Sequence, residues 1–321
     1  MPTACFFATT CSLVAGAENW WARVRAGVPV SDSGKIALVI GCGYTGIRLA
    51  RPLLDRGFLV VGVSRHAEHD PELRRAGIQP LAGDLSKPDF LPVLGKLSPS
   101  VVAYFVPPQK GDDPLSAVLA ATRNPSLEAF LYASSSSVYG DCGGEWVDET
   151  TAISSDGTGD PDRYAAECRV AEAGMSGIPT RICRITGIYG PDRTLKRLLE
   201  SGQYTLIEGG DPWVNRIHVD DLVAGFVAAW EKGTPGMVYN MVDEQPHRAS
   251  EFANLSADLN HLPRPARITE AEAATRYDAA ELHRKLSSKR VRCLRLRNEL
   301  GLSLKYPGFR TGLVAAVARQ R

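Results

Sequence analysis

The chain has 321 residues, with 44% apolar and 23% charged, a composition that fits one large or two modest globular domains. Its 37 basic and 36 acidic residues leave a net charge of +1. That excludes bulk attraction to nucleic acid or an anionic membrane, so neither is expected as a partner. Seven cysteines without a C-x-x-C pair suit free thiols in a reducing compartment, so a cytoplasmic location is expected.

Residues 1–34 are the least readable segment. Met1 to Ala17 carries no charge and holds the short apolar run Ala4–Ala8. Ala15-Gly16-Ala17 could serve as a signal-peptide cleavage site, but no basic residue precedes the apolar run, and Thr9, Thr10 and Ser12 dilute it. It falls short of the roughly 20 residues a membrane helix needs. A poorly ordered N-terminal extension is expected, with a targeting peptide as the alternative. The folded part then begins after the linker Pro29–Gly34.

From residue 35 strands and helices alternate. Lys35-Ile-Ala-Leu-Val-Ile40 reads as a buried parallel strand. Gly41-Cys-Gly-Tyr-Thr-Gly46 follows, and Ile47, Leu49, Ala50, Leu53 and Leu54 recur at helical spacing up to Gly57. Phe58–Val63 is the next strand. Val101–Val106 and Phe130–Ala133 are strand-like, with a helix over Leu115–Arg123 capped by Asp112 or Asp113. Arg181–Thr186 and Met237–Val242 read as strands, and Val219–Lys232 and Ala249–Leu259 as helices. Alternation of this kind implies a doubly wound α/β fold with a parallel Rossmann sheet. We expect a dinucleotide-binding domain over residues 35–175. Residues 176–321 supply the remaining strands and a smaller substrate lobe.

The glycine loop sits between a strand and a helix, the context a dinucleotide site requires. Gly41 permits the tight turn, Gly43 lets backbone amides approach a pyrophosphate, and Gly46 lets helix and strand pack closely. Cys42, Tyr44 and Thr45 complete the loop, whose helix N-terminus favours phosphate. The second strand ends Val63-Ser64-Arg65-His66, with no carboxylate for a ribose 2′-hydroxyl. Ser64 and Arg65 therefore point to a 2′-phosphate and to NADP, with NAD as the alternative. Asp84 and Leu85, after the third strand, are placed near the adenine, and Val106 at the end of the fourth strand beside the coenzyme.

Several segments together resemble the extended and atypical branch of the short-chain dehydrogenase/reductase superfamily, the NAD(P)-dependent epimerase/dehydratase-like proteins. They are the glycine loop, Gly83-Asp-Leu85, Ser134-Ser-Ser-Ser-Val-Tyr-Gly140, Tyr164-Ala-Ala-Glu-Cys168, Gly187-Ile-Tyr-Gly-Pro191, Ile217-His-Val-Asp-Asp221 and Val238-Tyr-Asn240. The resemblance implies that Ser135 binds the substrate oxygen and that Tyr164 is the acid/base. Ser136 and Arg216 are the candidate substrate contacts. It also implies a small-molecule substrate and a homodimer built on two core helices. His218 is read as structural. Six scattered histidines give no metal site.

One departure matters. The family's Y-x-x-x-K lysine is Cys168 here. A positive charge about 4 Å from the phenol is worth roughly 4 kcal/mol at an effective dielectric of about 20, or about three pKa units. Without it, Tyr164 is a proton donor and a weak base. Arg163 and Arg169 do not share its helix face. Three readings follow: hydride transfer on a small carbonyl, alcohol or sugar-type substrate; an NADP-binding sensor without catalysis; and a nucleotide-sugar epimerase with an altered proton relay.

Overall fold

A computed structural model describes residues 34–109, 111, 113–153 and 159–320. The expected N-terminal extension, apart from Gly34, lies outside the described residues, as does Asp112. Seven parallel strands form the central sheet: β1 (Ile36–Ile40), β2 (Leu59–Ser64), β3 (Gln79–Ala82), β4 (Val101–Tyr104), β5 (Ala129–Ser135), β6 (Thr180–Ile185) and β7 (Val238–Met241). Their order is β7-β6-β5-β4-β1-β2-β3. The chain leaves β1 toward one edge and returns through β4 toward the other, which puts the topological switch point between β1 and β4.

The β1 residues are all buried, which is why that strand reads as a continuous apolar run rather than an alternating one. Helices cover both faces. Leu49, Ala50 and Leu53 of α1 (Tyr44–Leu54) share one core with Leu73 of α2 (Asp70–Arg75). On the opposite face, Leu94 of α3 (Leu91–Lys96) and Val118 of α4 (Leu115–Thr122) pack with Ala166 and Val170 of α5 (Pro161–Met175). Leu222 and Phe226 of α6 (Val219–Glu231) complete the first core. Asp113 serves the start of α4, its Oδ1 accepting the Leu115 amide at 3.2 Å.

The strand expected over Val101–Val106 stops at Tyr104, and Phe105–Gln109 instead form irregular backbone on the rim of a cleft. Short strand pairs tie the rest of the chain to the sheet. Gly187–Tyr189 runs parallel to Arg216–His218, and Trp146–Val147 parallel to Arg290–Val291. The C-terminal half also carries helices α7 (Ala249–Leu259) and α8 (Ala279–Leu286). Among the described residues no helix is long and apolar enough to cross a membrane.

Candidate functional site

The glycine loop is built as its spacing requires. Gly41 has φ of +82°, and a Cβ there would lie 3.1 Å from the Phe105 carbonyl carbon. A Cβ at Gly46 would lie 2.9 Å from Val39 Cγ1, so only glycine lets α1 sit this close to β1. Gly43 faces open space, with nothing within 4 Å of a Cβ. It is the N-cap of α1, no side chain caps that end, and its first turn holds no acidic residue. The first-turn amides of Tyr44, Thr45 and Gly46 have no intrahelical acceptor. An uncapped, carboxylate-free helix start beside an open glycine fits a pyrophosphate.

This end of the sheet opens into a cleft of about 900 Å³. Gly41, Cys42, Gly43 and Tyr44 line it, as do Ser64, Arg65, Asp84, Leu85 and Val106. Thr45 and Gly46 are buried against the sheet instead, so their part is packing and, for their amides, the helix start. Burial pushes the Cys42 thiol up to about 12, so it packs rather than reacts. The Tyr44 hydroxyl donates to Pro191 O at 2.7 Å while the Arg48 guanidinium stacks on its ring at 3.8 Å. This strut joins the glycine loop to the C-terminal lobe. One Asp84 oxygen accepts from the amide and the hydroxyl of Ser86, which holds its carboxyl below the usual range.

A second cavity, about 860 Å³, lies over the ends of β5 and β6. Ser135, Ser136 and Arg216 all line it, so three of the expected substrate-side residues converge. Ser135 Oγ accepts the Ser137 amide at 3.1 Å, which leaves its own O–H to donate to a ligand oxygen. Ser137 Oγ in turn donates to Asp160 Oδ2 at 3.3 Å, fixing the start of α5 against the serine turn.

Tyr164 is not brought into either lining. It is 48% exposed on α5, one turn beyond Asp160 and Pro161, which do line the second cavity. A side-chain hydrogen bond with Cys168 and that thiol's negative potential when ionised raise its phenol above the ordinary value. Neither neighbouring arginine replaces the missing lysine. Arg163 Nη1 donates to Ala133 O at 3.2 Å, and Arg169 pairs with Asp113 at 2.8 Å. His218 is fully buried and structural: its Nδ1 accepts the Asp220 amide at 3.1 Å, and burial pushes it down to about 4.

Two features escape sequence reasoning. Beneath the serine turn, Glu167 of α5 and Arg184 of β6 form a buried pair at 2.7 Å. Ser134 Oγ donates to Glu167, and Arg184 Nη1 donates to the Tyr139 hydroxyl at 3.0 Å. Burial works against the Arg184 charge, but Glu167 outweighs it and raises the guanidinium pKa. Glu167 is one of several charges on α5 and Arg184 one of two arginines on β6, so nothing local in the sequence marks them as a pair. The other feature is Lys289, which reaches the second cavity from the far end of the chain. No local spacing in the sequence places it there.

Comparison with known proteins agrees with this architecture. Residues 37–241 match the model of the NAD dependent epimerase/dehydratase family. The chain is 26% identical over 251 residues to a 4-hydroxy-2-methyl-3-oxo-4-farnesyl-3,4-dihydroquinoline-1-oxide ketoreductase of Stigmatella aurantiaca, covering 70% of this chain and 74% of that one. It is 25% identical over 306 residues to a 3-diazoavenalumate denitrifying reductase of a Streptomyces species, covering 86% and 98%. Among solved structures, a functionally unknown conserved protein from Silicibacter pomeroyi superposes with a TM-score of 0.77 at 31% identity, covering 89% of this chain and 99% of that one. A UDP-glucuronic acid 4-epimerase from Bacillus cereus in complex with NAD shares the fold, with a TM-score of 0.71 at 18% identity over 88% and 97% of the two chains. With more than half its length matched, the chain belongs to the NAD-dependent epimerase/dehydratase family.

Proposed function

We propose that this protein is an NADP-dependent oxidoreductase that reduces a carbonyl group of a small molecule to an alcohol. The observation that carries the reading is the adjacency of two sites at one sheet end. The uncapped amides of α1 open onto the cleft over β1 and β4, and Ser135 lines the cavity over neighbouring β5. Ligands of open α/β sheets bind at this edge. The relatives named as a ketoreductase and a reductase support the same reaction class.

A bound nicotinamide coenzyme supplies the hydride for such a reduction. The protein's part is positioning. Ser135 donates a hydrogen bond to the substrate oxygen. Tyr164, held neutral and one turn along α5 from the Asp160 and Pro161 that line the cavity, is the proton donor this reading assigns to that oxygen. Arg65, on the cleft rim, pairs with the coenzyme's 2′-phosphate. Because Tyr164 keeps its proton at neutral pH, reduction is favoured over oxidation, where an ionised base is needed.

A coenzyme sensor is the second reading, favoured by the exposed Tyr164 and its bond to Cys168 rather than to a lysine. Turnover separates the two. With NADPH and a panel of aldehydes and ketones, the enzyme reading expects coenzyme oxidation that falls about 10²- to 10⁴-fold in Tyr164→Phe. It also expects Cys168→Lys to raise alcohol oxidation about tenfold for each unit by which the phenol pKa drops. Tight NADPH binding with no turnover and no effect of Tyr164→Phe would instead identify a sensor.

A further inference from the structure

The second cavity holds an imbalance of charge. Arg216 and Lys289 both line it, with Arg284 at its exposed mouth, and none of the three makes an ion pair among the described residues. Among the described residues the one carboxylate on its wall is Asp160, which already accepts the Arg163 amide at 3.0 Å and the Ser137 hydroxyl.

Arg216 has a stacking partner but no ion pair among the described residues. Its guanidinium lies 3.6 Å from the Phe252 ring centre, and its Nε has no hydrogen-bond partner. Asp243 is the nearby acid and its charge acts on Arg216, but the two form no ion pair among the described residues, and one Asp243 oxygen lacks a hydrogen-bond partner. Lys289 Nζ donates to Gly140 O at 2.5 Å and to Ser287 Oγ at 3.0 Å, both neutral. An ammonium has three donors, so one is left over. Burial pushes Lys289 below the ordinary lysine value against the opposing pull of Cys142 and Asp141, neither of which forms an ion pair with it among the described residues.

The two cations are held together by backbone. Asn215, next to Arg216, donates from Nδ2 to Lys289 O at 2.9 Å and accepts the Val291 amide at 2.8 Å. The Lys289 amide donates to Trp213 O at 3.3 Å. One asparagine thus locks the segment carrying Lys289 beside the strand carrying Arg216. Desolvated charges without partners are costly, and two directed at one cavity that also holds Ser135 make a site that an anion completes.

We propose that the substrate carries an oxyanion group, a carboxylate or a phosphate, that seats between Lys289 Nζ and the Arg216 guanidinium and so fixes its carbonyl at Ser135. This deepens the reductase reading and rests on it for the carbonyl, but the anion site can be tested without turnover.

The test titrates benzoate, inorganic phosphate and benzamide into the NADP-saturated protein by calorimetry. Benzamide has the shape of benzoate without its charge. At least one oxyanion is expected to bind, at least ten times tighter than benzamide, and the tighter of the two names the source. Lys289→Met and Arg216→Gln are each expected to weaken that oxyanion tenfold or more while NADPH affinity stays unchanged. Benzamide binding as tightly as benzoate, no oxyanion binding at all, or full affinity in both variants would overturn the proposal. If either variant fails to fold, the wild-type comparison of charged and neutral probes still decides. Loss of NADPH binding in the wild type would sink the coenzyme reading and leave this one standing.

Discussion

Glu167→Ala should unfold at a markedly lower denaturant concentration than the wild type, by about 3–5 kcal/mol, with an unchanged slope. Glu167 and Arg184 are 5% and 7% exposed, and the carboxylate receives three guanidinium hydrogen bonds as well as the Ser134 hydroxyl. Removing the acid strands a positive charge between α5 and β6, where among the described residues Tyr139 alone, by its hydroxyl and its ring, is left to it. The double variant Glu167→Leu with Arg184→Met should recover much of the loss, because a pair of apolar groups is often no less stable than a buried ion pair. A single-variant loss below about 1 kcal/mol would mean that water reaches Arg184 and that the pair does not anchor α5. The consequence for function is direct, since Tyr164 stands one turn before Glu167 on that helix.

Arg65→Ala should weaken NADPH by about 1.5–3 kcal/mol, roughly ten- to a hundredfold, and leave NADH nearly untouched. Ser64 ends β2 with its hydroxyl donating to His66 O at 3.1 Å, and Arg65 follows on the exposed rim of the cleft. A guanidinium there meets a 2′-phosphate with charge-assisted hydrogen bonds that a hydroxyl cannot match. The rim also holds Glu72, in the first turn of α2. If NADH binds more tightly and Arg65→Ala changes nothing, Glu72 is the ribose partner and the protein uses NAD.

Much of the coenzyme half of the site is local in the chain, which is why it can be read there. The strand β1, the glycine loop and α1 are consecutive, and Gly46 answers a steric need within the same unit, against Val39. The end of β2 is legible for the same reason. The substrate half is not local. Ser135, Arg216 and Lys289 meet only because β5, the strand Arg216–His218 and the segment after α8 converge over the sheet. Ser135 and Arg216 could be placed by resemblance. Lys289 could not, because its position depends on the Asn215 lock, a contact between residues 74 apart. Helix α5 is similarly hard to read from periodicity. Its buried face includes Glu167 beside Ala166 and Val170, so the apolar stripe is broken by a charge that only the fold pairs.

The most direct measurement is a calorimetric titration of the purified protein with NADPH and with NADH. Saturable one-to-one binding is expected for NADPH, at lower affinity for NADH, with phosphate charge received by the free amides at the start of α1. No heat with either coenzyme would contradict the account at its root, because the open turn at Gly43 would then hold no diphosphate.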